Sequence, residues 1–125
     1  MKIAISSTGQ TLDSQVDQRF GRAAYFIIVD TESMEFEAIE NQNTAVTGGA
    51  GINSAKAVID AQVDAVLTGN CGPNAQRTLS ATGLKLYTGV SGTIEQAVDL
   101  FKAGKLSETT EPNVGAHFGT ENTNA

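Results

Sequence analysis

The single cysteine of this chain, Cys71, stands in a segment that could present it to a ligand. It lies in Gly-Asn-Cys-Gly-Pro-Asn-Ala, directly before a predicted helix with Pro73 at its first position. A helix N-terminus lowers the pKa of a nearby thiol, and the thiolate is the form that binds metals. A small, inert, buried cysteine is the alternative, and it is common in protein cores. Because the segment also lies at a predicted ligand-binding edge, the sequence favours Cys71 as a metal ligand.

Two arginines lie three residues apart in the segment 17–23. Arg19 and Arg22 could face one site, where their planar guanidinium groups would bind an anion through paired hydrogen bonds. A solvated loop with an Arg–Asp pair explains the same residues equally well. The only histidine, His117, is a further candidate metal ligand, although a solvated side chain is equally typical of its polar surroundings.

Glycine-rich segments predict an anion-binding rim. Three predicted parallel strands each end in Thr-Gly, at residues 8–9, 68–69 and 88–89, and Gly48-Gly49-Ala50-Gly51 precedes a predicted helix. Glycine lets backbone N–H groups approach a ligand closely, and helix N-termini favour anions. Glycines that simply end strands and begin helices are the alternative.

Sequence signatures of enzymes are absent. The chain has no Gly-x-Ser-x-Gly, no Walker phosphate loop, no His-Glu-x-x-His and no Cys-x-x-Cys. Asp13, Asp17 and Asp30 could mimic the metal carboxylates of a nuclease, but the first predicted strand contains no carboxylate. We therefore expect a binding protein rather than an enzyme.

The elements that would position these residues follow the order β-β-β-α-β-α-β-α, read from period-two and 3.6-residue apolar patterns. They predict an α/β protein with a ribonuclease H-like, three-layer arrangement. Its mixed five-stranded sheet would have the order 3-2-1-4-5, with strand two antiparallel and helices on both faces. The ligand-binding edge would lie between strands one and four. The predicted strands are residues 2–7, 25–29, 34–39, 63–67 and 84–87, and the predicted helices are residues 52–62, 73–81 and 93–103.

The composition of the chain predicts that residues 1–106 form a single domain and that residues 107–125 form a flexible acidic tail. A polar loop is predicted from residue 8 to about residue 22. The tail carries Glu108, Glu111 and Glu121 and no Lys or Arg.

The negative net charge of the chain limits the classes of partner that it can bind. Eight basic and 14 acidic residues give a formal charge of −6 and a pI near 4.6, which argues against nucleic acid and against an anionic membrane surface. One cysteine cannot form an internal disulfide. The short apolar run at the N-terminus predicts neither a signal peptide nor a transmembrane span. We expect a soluble, cytoplasmic protein that is a monomer or a weak homo-oligomer.

Several ordered segments resemble the dinitrogenase iron–molybdenum cofactor biosynthesis family over about residues 1–118. That family includes nitrogenase cofactor carriers, a domain appended to the cofactor synthase, and the molybdenum–copper orange protein of sulfate reducers. Some nitrogenase carriers have histidine where this chain has Arg19. The segments that carry the resemblance are Met-Lys-Ile-Ala-Ile-Ser-Ser at the start, Val16-Asp17 through Arg19-Phe20-Gly21-Arg22-Ala23, Gly48-Gly49-Ala50-Gly51, Thr68-Gly69-Asn70-Cys71-Gly72-Pro73-Asn74-Ala75, Tyr87-Thr88-Gly89-Val90-Ser91-Gly92-Thr93, and Asn113-Val114-Gly115-Ala116-His117-Phe118-Gly119.

The resemblance implies a non-catalytic carrier of a pre-assembled metal–sulfur cluster (Fe–S, Mo–Fe–S or Mo–Cu–S), exchanged with donor and acceptor proteins. An ordinary iron–sulfur cluster needs about four thiolates. One cysteine therefore implies binding mainly by hydrogen bonds and shape. A small-molecule or nucleotide-binding regulatory module and an interaction domain acting through the acidic tail are the alternatives. The candidate cofactor-binding residues are Ser6, Ser7, Thr8, Arg19, Arg22, Gly48, Gly49, Gly69, Asn70, Gly72, Gly89 and Ser91, and the candidate metal ligands are Cys71 and His117.

Overall fold

The structure, a computed structural model, describes residues 1–41 and 49–109. Gly48 and His117 therefore lie outside the described residues. The strands are β1 (Lys2–Ser7), β2 (Tyr25–Asp30), β3 (Phe36–Glu40), β4 (Ala65–Leu67) and β5 (Lys85–Tyr87), and the helices are α1 (Ala50–Asp60), α2 (Pro73–Ser80) and α3 (Ile94–Lys102).

One five-stranded sheet has the order β3-β2-β1-β4-β5. β2 runs antiparallel to both β1 and β3, whereas β4 runs parallel to both β1 and β5. The predicted mixed sheet, its strand order and its antiparallel second strand are confirmed.

Helices cover both faces of the sheet, as predicted. Ala4 and Val66 point to the face covered by α1 and α2, where they pack with Val58 and Leu79. The opposite face presents Ile3 and the other alternate strand residues to α3. Because both faces of β1 are buried, its sequence is continuously apolar from residue 3 to residue 5 rather than alternating.

The helix boundaries differ slightly from the prediction. Helix α1 begins two residues earlier than predicted, at Ala50, and ends at Asp60. Helix α3 has the predicted capping box, in which Gln96 N–H donates to Thr93 Oγ1 at 3.1 Å and Thr93 N–H donates to Gln96 Oε1 at 2.9 Å. Among the described residues, no helix has the length and apolarity that a membrane span requires.

The loop between β1 and β2 is more ordered than its polar composition predicts. Val16 and Phe20 are buried in the core, on opposite faces of the sheet. The Val16 N–H donates to the Gly92 carbonyl at 2.8 Å, and the Asp17 N–H donates to the Ser6 carbonyl at 2.8 Å. The loop therefore returns across the carboxyl end of β1, and the two isolated apolar residues were too sparse to form a recognisable periodic pattern.

The described part of the predicted tail contacts the edge of the sheet. Leu106, the last residue of the predicted domain, packs on the α3 side of the core. The Thr109 N–H donates to the Leu86 carbonyl at 2.6 Å, and Thr109 Oγ1 accepts the Thr88 N–H at 3.0 Å. Residues up to Thr109 thus cover the outer edge of β5.

We predict different outcomes for two truncations. A chain that ends at Thr109 should unfold at nearly the temperature of the full chain. A chain that ends at Leu106 should melt a few degrees lower, because each lost hydrogen bond contributes about 0.5–1.5 kcal/mol. Thermal unfolding followed by circular dichroism measures both. Equal melting temperatures for the two truncations would contradict a stabilising role of Thr109.

Candidate functional site

A cleft of about 600 Å³ opens where the loops after β1 and β4 meet. Three segments line it: residues 18–22 from the first loop, residues 49–52 at the start of α1, and Asn70 with residues 72–75 at the start of α2. This is the edge between β1 and β4 at which the sequence places a ligand.

Two helix N-termini meet at the cleft. Gly49 is the N-cap of α1 and Gly72 is the N-cap of α2, so neither cap supplies a side-chain acceptor. Neither first turn contains an acidic residue. The first-turn N–H groups of both helices consequently have no partner within their helix, and both helix dipoles favour negative charge in the cleft.

Small residues allow these N-termini to approach one another. A Cβ atom built on Gly21 would lie 3.0 Å from Gly51 Cα, and one built on Gly51 would lie 3.3 Å from Ala75 Cβ. The first loop therefore lies backbone against backbone on α1, and the start of α1 lies against the Ala75 side chain of α2. Larger side chains at these positions would separate the N–H groups that the cleft brings together.

The two arginines of the first loop line the same cleft. Arg19 and Arg22 are on the surface, whereas Phe20 between them is buried and packs on Phe26 at a ring-centroid distance of 5.2 Å. The Phe20 N–H donates to the Asn70 carbonyl at 3.1 Å, and the Asn70 N–H donates to the Gln18 carbonyl at 2.8 Å. The arginines thus project from a fixed segment rather than from a solvated loop.

Asn41 and Ser54, which sequence reasoning missed, fix the far end of this segment. Asn41 Nδ2 donates to the carbonyls of Gly21 (3.2 Å) and Ala23 (2.8 Å), and Ser54 Oγ donates to Gly21 at 3.0 Å. Both side chains are buried. Ser54 lies among the apolar positions of α1, and that placement is the only signal in the sequence.

The charge of the lining is entirely positive. Arg19 and Arg22 are two of the three arginines of the chain, and no carboxylate, histidine or cysteine lines the cleft among the described residues. The described ranges also contain no group of three potential metal-ligating side chains. The geometry therefore fits an anion rather than a bare metal cation.

The sequence model of the dinitrogenase iron-molybdenum cofactor family matches residues 1–104. The chain belongs to this family.

The chain is similar to proteins from several organisms. The chain is 30% identical over 112 residues to the uncharacterized protein MJ0580 of Methanocaldococcus jannaschii, covering 86% of this chain and 95% of that protein. The apo form of the orange protein from Desulfovibrio gigas is 37% identical, with a TM-score of 0.88 over 90% of this chain and 96% of that one. TM1290 of Thermotoga, from the DUF35 family, is 41% identical, with a TM-score of 0.75 over 86% of this chain and 91% of its own.

The structure brings only some of the predicted binding residues of this family member together. Five of them line the cleft: Arg19, Arg22, Gly49, Asn70 and Gly72. Six others do not line it: Ser6, Ser7, Thr8, Gly69, Gly89 and Ser91.

The serine and threonine hydroxyls serve the fold instead of forming a rim. Ser6 Oγ lies 2.7 Å from Thr68 Oγ1, and both residues are fully buried. Ser7 Oγ donates to the Gly9 carbonyl at 2.7 Å. Thr68, from the second Thr-Gly pair of the predicted rim, therefore offers no hydroxyl to a ligand, since the Ser6 and Thr68 hydroxyls bond the ends of β1 and β4 to each other.

The remaining predicted residues lie around the cleft in different ways. Thr8 is exposed and its hydroxyl donates to the Gln15 carbonyl at 3.3 Å. Gly69 is buried under the first loop, and its carbonyl accepts the Gly89 N–H at 2.8 Å. Ser91 borders a separate shallow groove beside α3.

Cys71 points away from the cleft, although Asn70 and Gly72 on either side of it line the cleft. Its side chain is 1% exposed and belongs to the core cluster beneath α1 and α2. Burial raises the pKa of the Cys71 thiol from its usual 9.0 to about 12. The expectation that the N-terminus of α2 lowers the pKa of this thiol is wrong, because burial disfavours the thiolate.

We predict that Gly69→Ala displaces the first loop. A Cβ atom at this position would lie 2.7 Å from Gln18 Cα, so the backbone must shift, at a cost of about 1–3 kcal/mol in unfolding free energy. Gly72→Ala is the matched control, since a Cβ atom there meets no atom within 4 Å and its φ of −74° suits alanine. Urea unfolding compares the two, and an equal loss of stability would contradict the close approach.

We predict that Cys71 makes stability fall at alkaline pH. Because its folded pKa is raised, its contribution is complete below pH 9 and is lost as pH rises towards 12. The slope should approach about 1.4 kcal/mol per pH unit. Urea unfolding of wild type and Cys71→Ala between pH 8 and pH 11 isolates this effect from other titrating groups. Parallel pH profiles for the two proteins would show that the thiol ionises freely in the folded state.

Proposed function

We propose that the chain is a non-catalytic carrier that binds a pre-assembled, anionic metal–sulfur cluster in the cleft between β1 and β4. The cluster is the cargo, received from a donor protein and passed to an acceptor protein. The observation that carries the proposal is the meeting of two uncapped helix N-termini and two arginines at one cleft whose described lining contains no carboxylate.

The lining suits a sulfide-terminated anion. Arginine is more weakly hydrated than lysine and presents its donors in a fixed plane. The half-buried side chains of Ile52 and Pro73 add apolar surface beside these donors. A large anion with diffuse charge can contact both kinds of surface at once, as N–H groups and guanidinium groups donate to its sulfides.

Metal–ligand bonds play no part in the proposal. Cys71 is protonated at neutral pH and is buried behind the cleft wall. No other cysteine exists in the chain. A cluster held by hydrogen bonds and charge alone dissociates without the breaking of a covalent metal–thiolate bond, which suits a protein that hands its cargo on.

Membership of the dinitrogenase iron-molybdenum cofactor family supports this choice of cargo over a phosphate ligand. The alternative, a nucleotide-binding regulatory module, would use the same helix N-termini for phosphate. The described lining of the cleft contains no serine, threonine or lysine to assist it.

We predict that the full chain retains tetrathiomolybdate, offered anaerobically with or without copper(I), through gel filtration. The double variant Arg19→Gln/Arg22→Gln should bind it at least about tenfold more weakly, because two charge-assisted interactions are lost. The double variant Lys102→Gln/Lys105→Gln also removes two positive charges, at exposed lysines outside the cleft, and is the control. Metal content per chain and optical absorption are the readouts.

Two results would contradict the proposal. If wild type retains no thiometallate, the cargo is wrong, and absorbance near 260 nm in the purified protein would then favour a nucleotide. If the double variant retains as much metal as wild type, the cluster binds somewhere other than the cleft.

A further inference from the structure

Asp17 is a buried carboxylate immediately beside the cleft, and it is not itself part of the lining. Its side chain is only 6% exposed, whereas the side chain of Arg19 is 66% exposed. Asp17 Oδ1 accepts the Arg19 backbone N–H at 3.0 Å and lies 3.4 Å from Arg19 Nε. One carboxylate oxygen thus engages both the backbone and the guanidinium of the same arginine.

The position of this carboxylate is set by the sheet. The Asp17 N–H donates to the Ser6 carbonyl at 2.8 Å, and Ser6 Oγ donates to the Asp17 carbonyl at 2.7 Å. Ser6 is in turn bonded to Thr68 at the end of β4. Hydrogen bonds through Ser6 therefore fix Asp17 to the ends of β1 and β4, which border the cleft. Arg19, by contrast, has a long and exposed side chain.

A negative charge at this place has a cost for an anion-binding cleft, because it repels the ligand. A buried carboxylate also requires a compensating partner, and the Arg19 guanidinium supplies a cation at 3.4 Å. The contact uses Nε alone, so the terminal nitrogens Nη1 and Nη2 at the outer end of the guanidinium are not bonded to Asp17. Those are the two nitrogens that offer four of its five N–H donors.

We propose that Asp17 is the positioning residue for Arg19, holding its guanidinium so that the terminal N–H donors face the anion in the cleft. This inference rests on the proposed function. Asp17 restricts the Arg19 side chain before the anion binds, so Arg19 loses less conformational entropy on binding. This favourable contribution to the binding free energy exceeds the electrostatic repulsion between the Asp17 carboxylate and the anion.

The variant Asp17→Asn separates the two effects by the sign of the change. The asparagine Oδ1 can still accept the Arg19 backbone N–H, so the turn is retained, but the charge that attracts the guanidinium is gone. If Asp17 acts only through its charge, its removal strengthens tetrathiomolybdate binding, most of all at low salt. If it positions Arg19, binding weakens at low and at high salt, by at least about fivefold.

A double-mutant cycle distinguishes positioning from a general structural effect. In the Arg19→Gln background, Asp17→Asn should cause no further loss of binding. A purely structural loss would instead appear in both backgrounds and in the melting temperature. Binding by Asp17→Asn that equals or exceeds that of wild type would overturn the proposal.

A second measurement needs no ligand and keeps the proposal independent of the cargo. In ¹H–¹⁵N spectra of the free protein, the Arg19 Nε–H should exchange with water more slowly than the Arg77 Nε–H, and Asp17→Asn should abolish the difference. Equal exchange at Arg19 in wild type and variant would refute the positioning role even if thiometallate binds. Failure of wild type to bind thiometallate, with the exchange difference intact, would refute the proposed function alone.

Discussion

The backbone contact between Gly21 and Gly51 is the constraint on which the candidate site depends. A missing Cβ atom at each residue lets the first loop rest directly on the start of α1, and Gly51 also lets the Ala75 side chain of α2 pack closely against α1. Three segments distant in sequence therefore share one small space. The cost is conformational entropy, since glycine loses the most freedom on folding, and the hydrogen bonds of Asn41 and Ser54 to Gly21 help to offset it.

That constraint determines what kind of chemistry the cleft can perform. Backbone N–H groups and guanidinium groups are always ready to donate and cannot accept a proton or carry out nucleophilic attack at neutral pH. The one nucleophilic thiol, Cys71, is turned into the core and kept protonated. The described lining of the cleft consequently presents positive charge and no nucleophile, which supports the proposal that a bound anion is carried chemically unchanged.

Much of the fold could be predicted from the sequence, whereas the detailed site could not. Local periodicity is enough to locate the strands and helices, and handedness rules then leave few strand orders. The roles of Asn41 and Ser54 depend on Gly21, 20 and 33 residues away, and no local pattern encodes such a pairing. Cys71 illustrates a finer limit. Its neighbours Asn70 and Gly72 line the cleft, whereas the Cys71 side chain between them is buried. In such a loop the backbone conformation at each residue decides the direction of its side chain, and the sequence does not reveal it.

Among the described strands, β3 forms the edge of the sheet opposite to β5. The composition of β3 affects how copies of the chain interact at high concentration. The outermost strand of a sheet exposes backbone donors and acceptors that can recruit an identical strand. Glu37 and Glu40 within β3, with Glu35 just before it, are all exposed. Antiparallel pairing of two such edges would bring carboxylates together, so electrostatic repulsion opposes the growth of fibrils from this edge.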